Sequence, residues 1–226
     1  MRVSILATAI LSFPAAVMAT DWSGFYGELQ SGYAFGEHTL SYENNDFSLK
    51  QEVYNFDIHG GVNAATVGYR HSLFGSRWHA GVELSVLDGD VTGTKHFGNN
   101  RLDGSVTFSS EMVVSASILL GYALGEKTLI YGQLGKAAAD MTLTAQVNEN
   151  VNSLDFTGDT NGWVIGDFAA VGVSRKIRDS KWYWNAEVQY YDFNGTEDLK
   201  YKGHRLGNLN ATDEHFAIAV GVGFQF

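Results

Sequence analysis

Three carboxylates in this chain could do chemistry if the fold brings them together: Glu28, Glu83 and Glu187. Each lies in a stretch where large apolar residues alternate with small or polar ones, at a similar distance from a short polar break. Arg70 and His79 are cationic side chains near that level, and Lys136 is a third. Gln30, Glu111 and Gln189 share the polar side of the same stretches. These residue types allow two kinds of site. Carboxylates matched by cations and amides form a buried ion-pair and hydrogen-bond network, since buried polar groups need partners. Carboxylates in excess over cations invite a divalent ion. A narrow interior suits the network, and we expect Glu28, Gln30, Arg70, His79, Glu83, Glu111, Glu187 and Gln189 to build it.

Other chemistry is thinly represented. The chain has no G-x-S-x-G or H-E-x-x-H motif, and 132–136 is not a phosphate loop. Asp88-Gly89-Asp90 is turn chemistry without the rest of a calcium loop. The seven histidines show no ligand spacing. His59, His79 and His215 fall on strands. His38, His96 and His204 fall in polar segments, where a heme or metal contact competes with plain solvation. The absence of Cys removes disulfides and thiolate metal sites, and a net charge of −10 argues against nucleic acid. We therefore expect no catalytic, cofactor-binding or metal-ligating set and no cofactor.

The elements that must position these residues are strands. The chain has 226 residues, with 26 Gly and 1 Pro, and no linker divides it. No apolar run approaches the roughly 18–20 residues of a membrane helix. In 215–226, Phe216, Ile218, Val220, Val222, Phe224 and Phe226 share one face. Ala217, Ala219, Gly221, Gly223 and Gln225 share the other, a strand period of two with a small-residue inner face. A membrane protein built this way must close its sheet, because lipid offers backbone groups no partners.

Eight strands are predicted, at 25–35, 56–70, 78–86, 106–122, from 128, 162–175, 182–191 and 215–226. Trp78 to Val86 and Trp182 to Tyr190 alternate most clearly. In the second strand Ile58, Val62 and Ala64 suggest one phase and Val67 and Tyr69 the other, so a bulge is expected at Gly60-Gly61 or Ala64-Ala65. In the fourth, Met112, Val114, Ala116, Ile118, Leu120 and Tyr122 face out and Glu111, Ser115, Ser117 and Gly121 in. In the fifth, either Gln133 or Lys136 must face lipid. In the sixth, Val164, Phe168 and Ala170 are read outward and Asp167 inward. Short turns at 74–76, 124–127 and 177–180 alternate with four long polar segments, 36–55, 88–105, 148–161 and 192–214, read as acidic external loops. Aromatics cluster at both expected interfaces: Trp22, Tyr69, Trp78, Tyr122, Trp182 and Phe226 by the turns, Tyr33, Phe35, Trp163 and Phe193 by the loops. A soluble sandwich explains the alternation but neither the girdles nor the loop asymmetry. The fold class is an all-β, eight-stranded antiparallel up-and-down transmembrane β-barrel over 20–226. Residues 1–19 carry a basic start, an apolar stretch and a small-residue site at Val17-Met18-Ala19, and are expected to be a signal peptide for export to the outer membrane.

Asp21-Trp22-Ser23-Gly24-Phe25-Tyr26-Gly27 resembles the opening of small outer-membrane barrels of the opacity and surface-antigen type, which are OmpA-like and include hemin-binding surface proteins. Gly162-Trp163-Val164-Ile165-Gly166 and Trp184-Asn185-Ala186-Glu187-Val188-Gln189-Tyr190-Tyr191-Asp192-Phe193-Asn194-Gly195 resemble that family near its C-terminus, although Phe168 and Arg175 depart from it. The resemblance implies a Gram-negative outer-membrane protein of the porin and surface-antigen lineage. It also implies that Phe226, Phe224 and Val222 are read by the barrel-assembly machinery. The implied partners are outer-membrane lipid, lipopolysaccharide and that machinery. The expected role is envelope structure and surface interaction. A lipid A-modifying enzyme such as a lipid A oxidase, whose catalytic motif has no match here, is one alternative. A narrow channel or a heme- or small-ligand-binding barrel is the other.

Overall fold

The computed structural model describes residues 22–43, 53–98, 102–149, 156–201 and 204–226. The predicted signal peptide lies outside the described residues. The strands are β1 (Gly24–Glu43), β2 (Val53–Ser72), β3 (Trp78–Gly98), β4 (Leu102–Leu124), β5 (Thr128–Glu149), β6 (Phe156–Lys176), β7 (Trp182–Tyr201) and β8 (His204–Gln225). Each pairs antiparallel with the next, and β8 pairs with β1, which closes the barrel and leaves no sheet edge. The seam is in register over its length, from Tyr26↔Gln225 to Glu43↔Asn208. Tight turns join the strands at one end. One is a single 3-10 turn at Leu73–Gly75, with Phe74 at φ 53, and another carries Gly125 at φ 70.

The strands are 20–23 residues long, about twice the roughly 9–11 a tilted strand needs to cross a bilayer. This corrects the expected long loops. β1 runs to Glu43 before β2 starts at Val53, and β3 runs to Gly98 before β4 starts at Leu102. β5 runs to Glu149 before β6 starts at Phe156, and β7 runs to Tyr201 before β8 starts at His204. Beyond the lipid both faces of a strand can be polar, so the apolar alternation fades while the ladder continues. The acidic stretch Asn44-Asn45-Asp46 lies outside the described residues.

The outer face carries a continuous apolar band. Leu29, Ile118, Leu134 and Val220 are each more than 60% exposed on it. Trp78, Trp182, Tyr69 and Phe226 stand outward by the turns, and Tyr33, Phe35 and Trp163 at the far side. Trp22 and Phe193 do not belong to the girdles, because both are buried inside. Above the band the outer face turns acidic. Asp167, Asp192, Glu214, Glu37 and Asp57 are successive cross-strand neighbours from β6 round to β2. Lys136 joins this row through Asp167 at 2.6 Å.

Two inner-face assignments change. β6 has the opposite phase to that expected: Phe168 and Ala170 are buried inside and Asp167 is exposed outside. β2 keeps one phase, with Ile58, Val62, Ala64 and Arg70 inward and Val67 and Tyr69 outward. It needs no bulge. The register shifts lie instead between Asp88 and Val91 in β3, between Ser110 and Met112 in β4 and between Leu199 and Lys200 in β7. In β5 Gln133 points inward and Lys136 outward. The common cause is an interior that is apolar in its upper half. There Phe56, Ile58, Val62, Leu87, Phe108 and Phe168 form one packed cluster, lined by alanines on neighbouring strands.

Candidate functional site

The interior polar network is built from a repeated three-strand unit. Tyr26, Gly68 and Glu83 occupy one cross-strand row over β1, β2 and β3. Tyr131, Gly172 and Glu187 repeat it over β5, β6 and β7. Tyr183, Gly223 and Glu28 repeat it over β7, β8 and β1. In each row the tyrosine ring lies flat over the glycine. A Cβ on Gly68, Gly172 or Gly223 would come within 2.4, 2.5 or 2.3 Å of a ring carbon, closer than any side chain tolerates. The missing side chain is what lets the phenol reach the strand beyond. Tyr26 donates to Glu83 at 2.6 Å, Tyr131 to Glu187 at 2.9 Å and Tyr183 to Glu28 at 2.7 Å.

Amides complete the carboxylate shells. Asn185 donates to Glu28 at 2.6 Å, and Gln189 to Glu187 at 2.6 Å. Gln133 also reaches Glu187, at 3.3 Å, and accepts from Ser117 at 3.0 Å. Gln30 donates to Glu28 at 3.3 Å and accepts from Gln189 at 3.4 Å, linking two of the rows. These donors give the buried carboxyl oxygens the partners that polar groups removed from water require.

The cation is held by rings. Arg70 is 1% exposed, and its guanidinium carbon sits 4.3 Å from the Tyr26 ring centroid, 4.7 Å from Trp22 and 5.3 Å from Tyr183. Its Nε donates to the Trp22 carbonyl at 2.8 Å. The faces of those rings carry negative quadrupole charge, so the cage favours a cation away from water. Lys176 Nζ stands 5.0 Å from the Trp22 ring. Trp22 thus covers the network at the turn end, where a cleft of about 410 Å³ opens outward past Arg77 and Glu126.

A second polar group lies higher, among the aromatics of the upper cluster. His38 and Asp213 are direct cross-strand neighbours, and His215 accompanies Asp213 at 3.1 Å. His38 stacks on Phe108 at 4.1 Å, and neither of its ring nitrogens has a hydrogen-bond partner. Sequence reasoning placed His38 in a loop, but it is buried in β1.

Of the residues expected in the network, Glu28, Gln30, Arg70, Glu83, Glu187 and Gln189 are buried in it. His79 is buried nearer the turns, with Nδ1 3.1 Å from the Arg77 carbonyl. Glu111 is not in the interior: it is exposed at the β4 register shift, where the extra residue turns its side chain out. Lys136 also faces outward. The residues that sequence reasoning left out of the network are the tyrosines Tyr26, Tyr131 and Tyr183, together with Asn185 and Gln133. Tyr183 and Asn185 share the odd-numbered parity of Glu187 and Gln189, a signal that was available. Among the described residues no three His, Asp or Glu are grouped to hold a metal ion.

A closed eight-stranded barrel with an apolar outer band and aromatic girdles defines an integral outer-membrane β-barrel, and this chain is one. No family model matches it. It is similar to the 31 kDa outer-membrane immunogenic proteins of Brucella melitensis and Brucella suis. Each is 24% identical over 233 residues, covering 99% of this chain and 93% of the relative. Among solved structures, the outer membrane protein OprG of Pseudomonas aeruginosa shares the fold. Its TM-score is 0.57 at 11% identity, over 93% of this chain and 99% of that one.

Proposed function

We propose that the protein is a non-conducting, non-enzymatic surface barrel that contributes to envelope structure and presents its outer rim to the exterior. The observation that carries this reading is the doubly filled interior. The caged Arg70 and its Tyr–Glu rows close the lower half, and the apolar cluster from Ile58 to Phe168 closes the upper half. An eight-stranded barrel has an interior only wide enough for side chains, and here they meet across it at both levels. Lipopolysaccharide and outer-membrane phospholipid are the partners of its lipid-facing band, and the barrel-assembly machinery is the partner of its biogenesis.

Single-channel recording of the refolded protein in planar bilayers tests the reading. We expect a quiet baseline. Discrete conductance steps that disappear on heat unfolding would make it a channel instead. Mass spectrometry of lipid A from cells with and without the gene tests the enzymatic alternative, and identical spectra are expected.

A further inference from the structure

The outer wall at the turn end carries arginines that no carboxylate among the described residues balances. Arg175 stands exposed at the base of β6, facing outward beside Trp184, its cross-strand neighbour on β7. Arg178 is exposed two residues beyond the end of that strand, held at φ 57. Lys181 enters β7 with its Nζ 6.0 Å from the Phe224 ring. The nearby carboxylate, Asp179, is taken by Lys127 at 2.9 Å. Among the described residues neither Arg175 nor Arg178 forms an ion pair.

The rings fix the level of this patch. Trp182 and Trp184 are exposed on the lipid face, and Trp182 packs edge-on against Phe224 at 5.0 Å. Tryptophans of this kind sit among headgroups, where one side is apolar and the other wet. The short-turn end of such barrels faces the periplasm, so the headgroups are those of the inner leaflet. A lipid-facing arginine is unfavourable unless an anion meets it, and no carboxylate among the described residues does so. A planar guanidinium matches two oxygens of a phosphate at once. The ammonium of a zwitterionic lipid would add another cation to Arg175, Arg178 and Lys181, whereas an anionic headgroup would not.

We propose that Arg175 and Arg178, flanked by Lys181, form a binding site for the phosphodiester headgroup of an anionic phospholipid in the inner leaflet. The ring faces of Trp182 and Trp184 cover its glycerol and upper acyl segments. Native mass spectrometry of the folded protein in non-ionic detergent, with phosphatidylglycerol or phosphatidylcholine added at equal concentration, reads the preference directly. The wild type is expected to retain more phosphatidylglycerol. Arg175→Gln should lower the ratio roughly fivefold, and adding Arg178→Gln should lower it by a similar factor again. Lys136→Gln, at the opposite edge of the band, should leave the ratio alone. Equal retention of the two lipids by the wild type, or an unchanged ratio in the double variant, would overturn the proposal. If the double variant does not fold, quenching of wild-type tryptophan fluorescence by brominated phosphatidylglycerol and brominated phosphatidylcholine in vesicles serves in its place. Stronger quenching by the anionic lipid supports the site, and equal quenching removes it.

Discussion

Tyr26 on β1 donates a hydrogen bond to Glu83 on β3 at 2.6 Å, passing over Gly68 on the strand between them. The contact skips one strand. Backbone ladders join only neighbours, so this side-chain bond resists a different distortion, the sliding of β1 and β3 along β2. The two other Tyr–Gly–Glu rows do the same elsewhere in the wall.

Removing one phenol from such a row should be costly. Tyr183→Phe keeps the ring over Gly223 but leaves Glu28 with only Asn185 and Gln30 as side-chain donors. A buried acceptor that loses its donor costs about 1–3 kcal/mol, and the loss should be in that range. Urea unfolding in lipid vesicles measures it, and an unchanged midpoint would show that the phenol is dispensable.

The glycine beneath the ring should matter through that ring alone. Gly172→Ala puts a methyl into Tyr131, and overpacking of this kind costs about 1–3 kcal/mol. On a Tyr131→Ala background the same change should cost little. The double-mutant cycle should therefore show a coupling of roughly 0.5–3 kcal/mol, and simple additivity would dissolve the unit into separate contacts.

His38 should be replaceable. Its ring nitrogens are buried without partners, and each such group carries a desolvation cost of about 1–3 kcal/mol. His38→Leu fills similar space against Phe108 and Phe56, and we expect stability to rise by about 1 kcal/mol. A fall of that size would mean the imidazole has a partner in the membrane-bound protein.

The seam should be the most sensitive region during assembly. Phe226 donates its backbone N–H to the Phe25 carbonyl at 2.9 Å, and its ring meets Phe224 edge-on at 5.4 Å. Phe226→Ala is expected to reduce the yield of heat-modifiable barrel in the outer membrane more than deletion within 44–52. Equal yields would place the assembly signal elsewhere.

The sequence could be read where the two faces differ. β1, β3, β7 and β8 carry large apolar residues outside and small or polar residues inside, so parity assigned both their faces. β6 was read backwards because its interior residues Phe168 and Ala170 are as apolar as its lipid-facing ones. A narrow lumen above the polar network is a packed core, so the rule of a polar inside fails there. The loops were overestimated because the strand ladder continues past the level where the apolar alternation fades. The candidate site was half visible. Its carboxylates and the amides Gln30 and Gln189 could be found by parity, but nothing tied the tyrosines to the carboxylates. A tyrosine in a barrel reads as girdle until its cross-strand neighbour is known to be glycine, and that depends on register.

The row joining Tyr183 to Glu28 differs from the other two in crossing the seam. Its donor arrives with the seventh strand and its acceptor with the first, while Asn185 on the seventh strand binds the same carboxylate. A chain with seven strands paired and the eighth unplaced leaves Glu28 without either donor. The interior thus acts as a proofreading device: the buried lock engages only when the cylinder has closed in the right register, and a slip of one residue would leave a carboxylate stranded among aromatic rings.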